Sequence, residues 1–247
     1  MALREEFERT GNWLFRWRSY LPLVLMALFL LALKRFGYPQ HSHQLDQIWE
    51  IFCFLISFLG LGIRMYAVGC APRGTSGRNV KEQRAAFLNT TGVYSLIRHP
   101  LYFGNFLIWV GIVLSLRSWW FTAMTILAFW LYYEKIMFAE EEFLRREYDD
   151  QFLKWASKTP AFFPVKLNLW QKPELSFKLK NALRREYSGF FAIISVYAVL
   201  DIFEELITTG ELSIDIMWSI LFVCGLAIYL VLMFLKKKTD FLNVQGR

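Results

Sequence analysis

The sequence predicts an all-α, polytopic transmembrane helical bundle of about six spans, with both termini cytoplasmic and with amphipathic helices at the membrane interface. Three observations predict it. Apolar residues make up 55% of the 247-residue chain, with 24 Phe, 11 Tyr and 10 Trp; a soluble domain of this size cannot bury so much aromatic surface, whereas a bilayer accommodates it. The apolar residues gather into six runs, several of them near the ~20 residues that cross ~30 Å of hydrocarbon. The cations are concentrated in alternate connections between those runs.

The runs are about Tyr20–Leu33, Ile48–Val68, Leu101–Leu116, Trp119–Phe138, Ser188–Ile207 and Ile214–Leu235. The first and third are short, so each must recruit flanking residues or sit at a rim. Only Arg117–Ser118 separates the third from the fourth, which makes the two a tight antiparallel hairpin. Ahead of the first run, 1–18 mixes Glu with Arg, and no small-residue cleavage site follows; the run reads as an uncleaved anchor. The N-terminal tail, the Arg64–Arg98 stretch, the Lys135–Arg185 stretch and the C-terminal tail hold 25 of the 28 Lys and Arg residues. The other connections hold only Lys34, Arg35 and Arg117. The net charge of +7 is therefore a topology signal and a contact for anionic lipid, and nucleic-acid binding is not expected. Thr208–Asp215, with two acids and no base, reads as an outer loop.

Two cytoplasmic stretches have helical periodicity. In Glu140–Lys158 the apolar Leu144, Tyr148, Phe152 and Trp155 recur at three or four; in Glu174–Tyr187, Leu175, Leu179, Leu183 and Tyr187 recur at four. Both fit amphipathic helices lying on the membrane or continuing from it, with Pro160, Pro164 and Pro173 punctuating the link. The chain divides into anchor spans and a loop (1–87), a core around the hairpin (88–164), and a linker helix with a C-terminal two-span hairpin (165–247). It carries no signal of oligomeric state.

The chemistry is expected where the hairpin returns to the cytoplasm. Pro100 suits a helix-opening position, where its missing N–H costs nothing. Arg98 and His99 then stand at the mouth of a membrane helix beside free backbone donors, a place suited to a carboxylate or phosphate. Gly104 permits close approach of a backbone or a flat ligand. The fourth run ends in Glu140-Glu141-Glu142, and the hairpin brings Glu140 and Glu141 near Arg98, His99 and Tyr102. Clustered acids and bases at a membrane surface are costly unless paired or liganded.

Plainer readings stand beside these. Arg98 alone can snorkel, the three Glu can be a solvated helix end, and an unpartnered His99 is more often structural. Cys53, Cys70 and Cys224 have neither disulfide nor metal spacing and read as small packed residues. The sequon at Asn89 lies on the expected cytoplasmic side, and Gly74–Arg78 lacks the spacing and Lys of a phosphate loop. Asp201, Glu204 and Glu205 fall in the outer half of the fifth span; a helix end explains the two Glu, and Asp201 is the odder residue.

The spacing Gly92-x-Tyr94-x-x-x-Arg98-His99-Pro100-x-Tyr102-x-Gly104 resembles the signature of the isoprenylcysteine carboxyl methyltransferase and phospholipid methyltransferase superfamily. Glu140-Glu141-x-x-Leu144-x-x-x-Tyr148-x-x-x-Phe152-x-x-Trp155 is similar to that family's Glu-Glu helix, and Pro160 and Pro164 sit where its closing Pro-Arg-x-x-Pro falls. The resemblance spans about Leu88–Pro164. It implies S-adenosylmethionine as methyl donor at the cytoplasmic membrane face, with Tyr94, His99, Pro100, Tyr102 and Gly104 bordering it and Glu140 or Glu141 binding its polar groups. Arg98, His99 and Glu141 are the catalytic candidates, Arg98 either engaging the methionine carboxylate or bracing the Glu residues. No metal is implied.

Two positions depart from the family pattern: Asp149 replaces its usual Gly, and Ala161 replaces the Arg of Pro-Arg-x-x-Pro. The second removes a cation that would pair with a prenylcysteine carboxylate. The expected acceptor is thus a membrane lipid or lipidated substrate, and the expected protein is multi-pass, in the inner or plasma membrane if bacterial. Within that class stand prenylcysteine carboxyl methylation and methylation of a lipid phosphate, lipid A included. Outside it stand a non-catalytic scaffold or transporter and an NADPH-dependent sterol reductase, whose further motifs Glu140–Trp155 does not match.

Overall fold

In the computed structural model, residues 2–17, 32, 43–72 and 87–246 are described, and among them all regular structure is helical. The six α-helices are α1 (Leu3–Trp17), α2 (His43–Cys70), α3 (Pro100–Ser115), α4 (Trp119–Ala156), α5 (Leu179–Thr208) and α6 (Ile216–Lys238). Two short 3-10 turns, Val93–Ser95 and Leu167–Leu169, and one antiparallel bridge between Gly92 and Gln171 complete the described regular structure. The expected first span, the cations of 73–86 and the Gly74–Arg78 loop lie outside the described residues, apart from Ala32 in the core.

Among the described residues, α2 and α6 are long and apolar enough to cross a membrane, and α3 is a shorter apolar helix. At 1.5 Å per residue, the 28 residues of α2 span about 42 Å, the 16 of α3 about 24 Å and the 38 of α4 about 57 Å. The apolar run Trp119–Phe138 and the amphipathic stretch after it are one helix, because both have the same 3.6-residue period. Asp149 interrupts it, with φ +40° and ψ −114°. The expected helix over Glu174–Tyr187 starts later, at Leu179, and then runs unbroken into the fifth apolar run. Pro173 and two ties explain the late start: Lys178 N–H donates to the Gly69 carbonyl at 3.0 Å, and the Phe177 ring stacks on Tyr66 at 5.9 Å.

α2 is the axis of the core. Gly60 meets Gly104 and Gly111 meets Ser57, so α2 and α3 pack backbone against backbone, where any Cβ would collide. On its other side, Phe54 packs edge-on against Tyr197 of α5 and Trp218 of α6 at 5.2 and 5.3 Å. Cys53, Leu61, Ile112, Val113, Phe121, Ile193 and Leu200 fill the same cluster. α1 lies on α4: Gly11 sits against the Lys135 carbonyl, Arg4 Nε donates to Glu142 at 3.1 Å, and Arg146 pairs with Glu8 at 2.6 Å. At the opposite end of the bundle, Arg117 in the α3–α4 turn pairs with Asp46. There Asp201 accepts the Asp215 backbone N–H at 2.7 Å, at the N-cap of α6. That bond explains the buried aspartate as the tie of the α5–α6 turn.

Candidate active site

Residues 91–99 approach the N-terminal end of α3 as an irregular strip with a neighbour on each side. Gly92 donates its N–H to Gln171 at 3.0 Å, Ser95 Oγ accepts the Gln171 N–H at 2.9 Å, and Trp155 Nε1 donates to the Tyr94 carbonyl at 3.1 Å. Gly92 has φ +61°, a left-handed conformation that a side chain would strain. Pro100 takes the first turn of α3, as its missing N–H favours. The backbone N–H groups just ahead of it are paired: Arg98 donates to Pro160 O at 2.9 Å and His99 to Ala161 O at 3.1 Å. Ala161 is thus used through its backbone.

The hairpin brings both halves of the motif together. His99 Nε2 lies 2.9 Å from Glu141 Oε1, and His99 Nδ1 lies 3.5 Å from Glu140 Oε2. Arg98 Nε donates to the same Glu141 oxygen at 2.9 Å. The remaining arm of Arg98 donates to the carbonyls of Ala156 and Thr159 at 2.8 and 3.1 Å, which supplies donors to carbonyls at and just beyond the C-terminal end of α4. Arg98 thereby ties Glu141 to the end of α4.

Burial grades across the cluster. The side chain of His99 is 4% exposed, Glu141 24% and Glu140 34%, so Glu140 forms the rim. Burial opposes charge on His99, but the hydrogen bonds and negative charges of Glu140 and Glu141 prevail and raise its pKa above the ordinary value. Burial likewise disfavours the Glu141 carboxylate, and the bonds and charges of His99 and Arg98 prevail to hold its pKa below the usual range. The Tyr94 hydroxyl is held protonated by burial first and by the Glu140 charge second, with Arg185 and Arg64 opposing. The cluster therefore sets two carboxylates, one of them at the surface, against Arg98 and an imidazole whose charged form they favour.

Aromatic rings line one side. Tyr102 lies over His99 at 5.6 Å with the planes 20° apart, and Tyr133 of α4 meets Tyr102 at 5.0 Å. Phe162, 3% exposed, turns back from the end of α4 into the groove between α3 and α4, against Phe103 and Phe106 at 5.6 Å each. Farther along that groove, Phe106, Trp109, Val110, Val113, Thr125, Ile126 and Phe129 line a closely packed apolar crevice. Gly104 faces α2, where Arg64 Cγ and Gly60 O occupy the space a Cβ would need.

The sequence did not single out Arg64, Asn105, Tyr133 and Glu186, which form a bonded set one turn below Tyr102. The available signal was Arg64 itself, a lone cation inside the second apolar run, which demands an acidic or polar partner.

Residues 73–151 match the profile of the phospholipid methyltransferase family. Over 151 residues the chain is 38% identical to the nickel-cobalt-cadmium resistance protein NccN of Alcaligenes xylosoxydans xylosoxydans, covering 60% of this chain and 62% of that protein. It is 34% identical over 147 residues to the cobalt-zinc-cadmium resistance protein CzcN of Cupriavidus metallidurans, covering 60% and 63%. It is 26% identical over 113 residues to the protein-S-isoprenylcysteine O-methyltransferase of Schizosaccharomyces pombe, covering 44% and 48%. The chain thus spans less than two thirds of the length of each of these relatives. No solved structure matches it.

Proposed function

Because the chain belongs to the isoprenylcysteine carboxyl methyltransferase and phospholipid methyltransferase superfamily, we propose that it methylates a membrane lipid or lipidated substrate at the cytoplasmic face, with S-adenosylmethionine as donor. The observation that carries this reading is the closure of the hairpin, which sets Glu140 at the rim of a buried His99–Glu141–Arg98 network. The donor offers hydroxyl and ammonium groups that need acceptors and a flat base that needs an apolar face. Glu140 and Glu141 supply the first and the Tyr94 and Tyr102 rings the second, so the residues present fit it.

When bound, the donor supplies a methyl group on a sulfonium, with a neutral leaving group. The protein's work is then alignment and exclusion of water. His99, bridging both carboxylates, holds them at fixed separation. Arg98 pins the end of α4 so that Glu141 cannot leave His99. Tyr94 keeps its proton and acts as a donor. A carboxylate or phosphate acceptor needs no base, which suits a site whose imidazole is engaged by two carboxylates. The apolar lining of the crevice between α3 and α4 marks the side from which the acceptor's tail approaches on this reading.

The accompanying topology is six spans with both termini cytoplasmic, as the distribution of cations requires. Methylating a headgroup phosphate or carboxylate removes a negative charge from the membrane surface. That loss would weaken divalent-cation binding there, which reconciles the reading with relatives named for metal resistance. The test is tritiated methyl incorporation into a membrane-lipid fraction, together with calorimetric titration of S-adenosylmethionine. Glu140→Gln and His99→Ala should abolish donor binding while membrane insertion persists. Absence of both binding and transfer in the wild type would refute the assignment.

A further inference from the structure

α5 lies outside the residues matched to the family, yet one of its side chains reaches toward the site. Glu186, whose side chain is 5% exposed, grips the Arg64 guanidinium with both oxygens, Nε to Oε2 at 3.0 Å and Nη2 to Oε1 at 2.9 Å. With that edge of the fork held by α5, Nη1 points at α3, where it donates to Asn105 Oδ1 at 2.6 Å and to the Leu101 carbonyl at 3.4 Å. A guanidinium only donates, so it fixes which way the Asn105 amide faces: oxygen toward Arg64, nitrogen away from it. That nitrogen donates to the Tyr133 hydroxyl at 3.1 Å. The Tyr133 ring meets Tyr102 at 5.0 Å, and Tyr102 lies over His99. One connected path therefore joins α5, α2, α3 and α4 and ends on the histidine of the candidate site.

We propose that Glu186 and Arg64 are positioning residues of the methyl-transfer site: through the orientation of the Asn105 amide they place the Tyr133–Tyr102 aromatic pair beside His99. This rests on the methyltransferase reading and gives the C-terminal helix pair a part in it. In that reading the Tyr102 ring is part of the wall on which the donor's flat base stacks. A small displacement of such a wall lowers the rate of alignment-limited chemistry without abolishing donor binding.

The competing account makes Arg64–Glu186 a simple staple between α2 and α5, and charge reversal separates the two. In Arg64→Glu combined with Glu186→Arg the ion pair is rebuilt, but a carboxylate at position 64 cannot donate to Asn105, so the amide loses its fixed orientation. Tyr133→Phe leaves the shape of the wall and removes only the hydroxyl that Asn105 holds. Both are assayed in the full-length protein, with tritiated S-adenosylmethionine and a total membrane-lipid extract, alongside calorimetric donor binding and thermal unfolding. We expect the reversal to fold and bind donor as the wild type does while its kcat falls about tenfold or more, and Tyr133→Phe to lower kcat in the same direction at unchanged KM for the donor. Recovery of wild-type kcat in the folded reversal overturns the proposal. Should the reversal not fold, wild-type kcat in Tyr133→Phe overturns it alone. A wild type that neither binds donor nor transfers label removes the methyltransferase reading itself, and this inference with it.

Discussion

Replacing Arg98 tests whether it braces the site or touches the ligand. Its side chain is 16% exposed and makes three bonds: to Glu141 at 2.9 Å, to Ala156 O at 2.8 Å and to Thr159 O at 3.1 Å. Hydrogen bonds to a charged group contribute roughly 1.5–3 kcal/mol each. The sum exceeds what Arg98→Ala would cost, because Glu141 keeps its bond to His99 and water can reach part of the vacated space. Loss of one partner from a mostly buried pair costs about 3–5 kcal/mol, and we expect Arg98→Ala to fall in that range. Arg98→Lys keeps a positive charge near Glu141 but has no planar fork to serve the two carbonyls as well, so about half the loss is expected. Denaturant unfolding in detergent micelles, followed by tryptophan fluorescence, reads the series, and calorimetry reads donor binding on the same samples. The expected order of stability is wild type, then Lys, then Ala, with donor affinity falling in the same order. A stability change under about 1 kcal/mol with donor binding abolished would refute the bracing role and make Arg98 a ligand contact.

Three further outcomes follow from the same geometry. His99 has its folded pKa above 6.5, so its contribution is fully present below pH 6.5 and is lost as pH rises through the raised value; Glu141, below 4.5, contributes above pH 4.5 and loses that contribution on acidification through its lowered value. Melting temperature should therefore decline on the alkaline side in wild type and much less in His99→Gln. Asp149→Gly, which relieves φ +40°, should raise stability by about 1 kcal/mol; an unchanged or lower unfolding midpoint would contradict the strain. In Gly104→Ala the new Cβ would stand 2.5 Å from Arg64 Cγ and 2.7 Å from Gly60 O; overpacking of about 1–3 kcal/mol should appear in unfolding.

Much of the site could be read from the sequence because it is built from local patterns. Arg117–Ser118 between two apolar runs implied a tight hairpin, and a hairpin of near-equal arms returns Glu140 and Glu141 to the level of Arg98 and His99. What the sequence hid was non-local. Arg64 and Glu186 stand 122 positions apart, and no periodicity links them; only the oddity of a cation among apolar neighbours hinted at a partner. The departure at Asp149 was visible as a missing glycine, and its positive φ gives the reason glycine would be favoured there. The late start of α5 at Leu179 was not visible, since amphipathic spacing persists across Glu174–Lys178 while the backbone there is tied to the end of α2. Whether a lone Asp201 was functional or structural likewise turned on one bond, to the Asp215 backbone.

The shortness of α3 has a consequence for the surrounding lipid. At about 24 Å, it falls short of the ~30 Å hydrocarbon layer, while α2 beside it is far longer. On the proposed topology, the bilayer must thin around the hairpin or the His99 end must sit below the headgroup plane, each at a modest energetic penalty. Either accommodation lowers the local barrier to a headgroup descending toward Glu140. The dimple itself would then perform part of the substrate's desolvation before any side chain touches it.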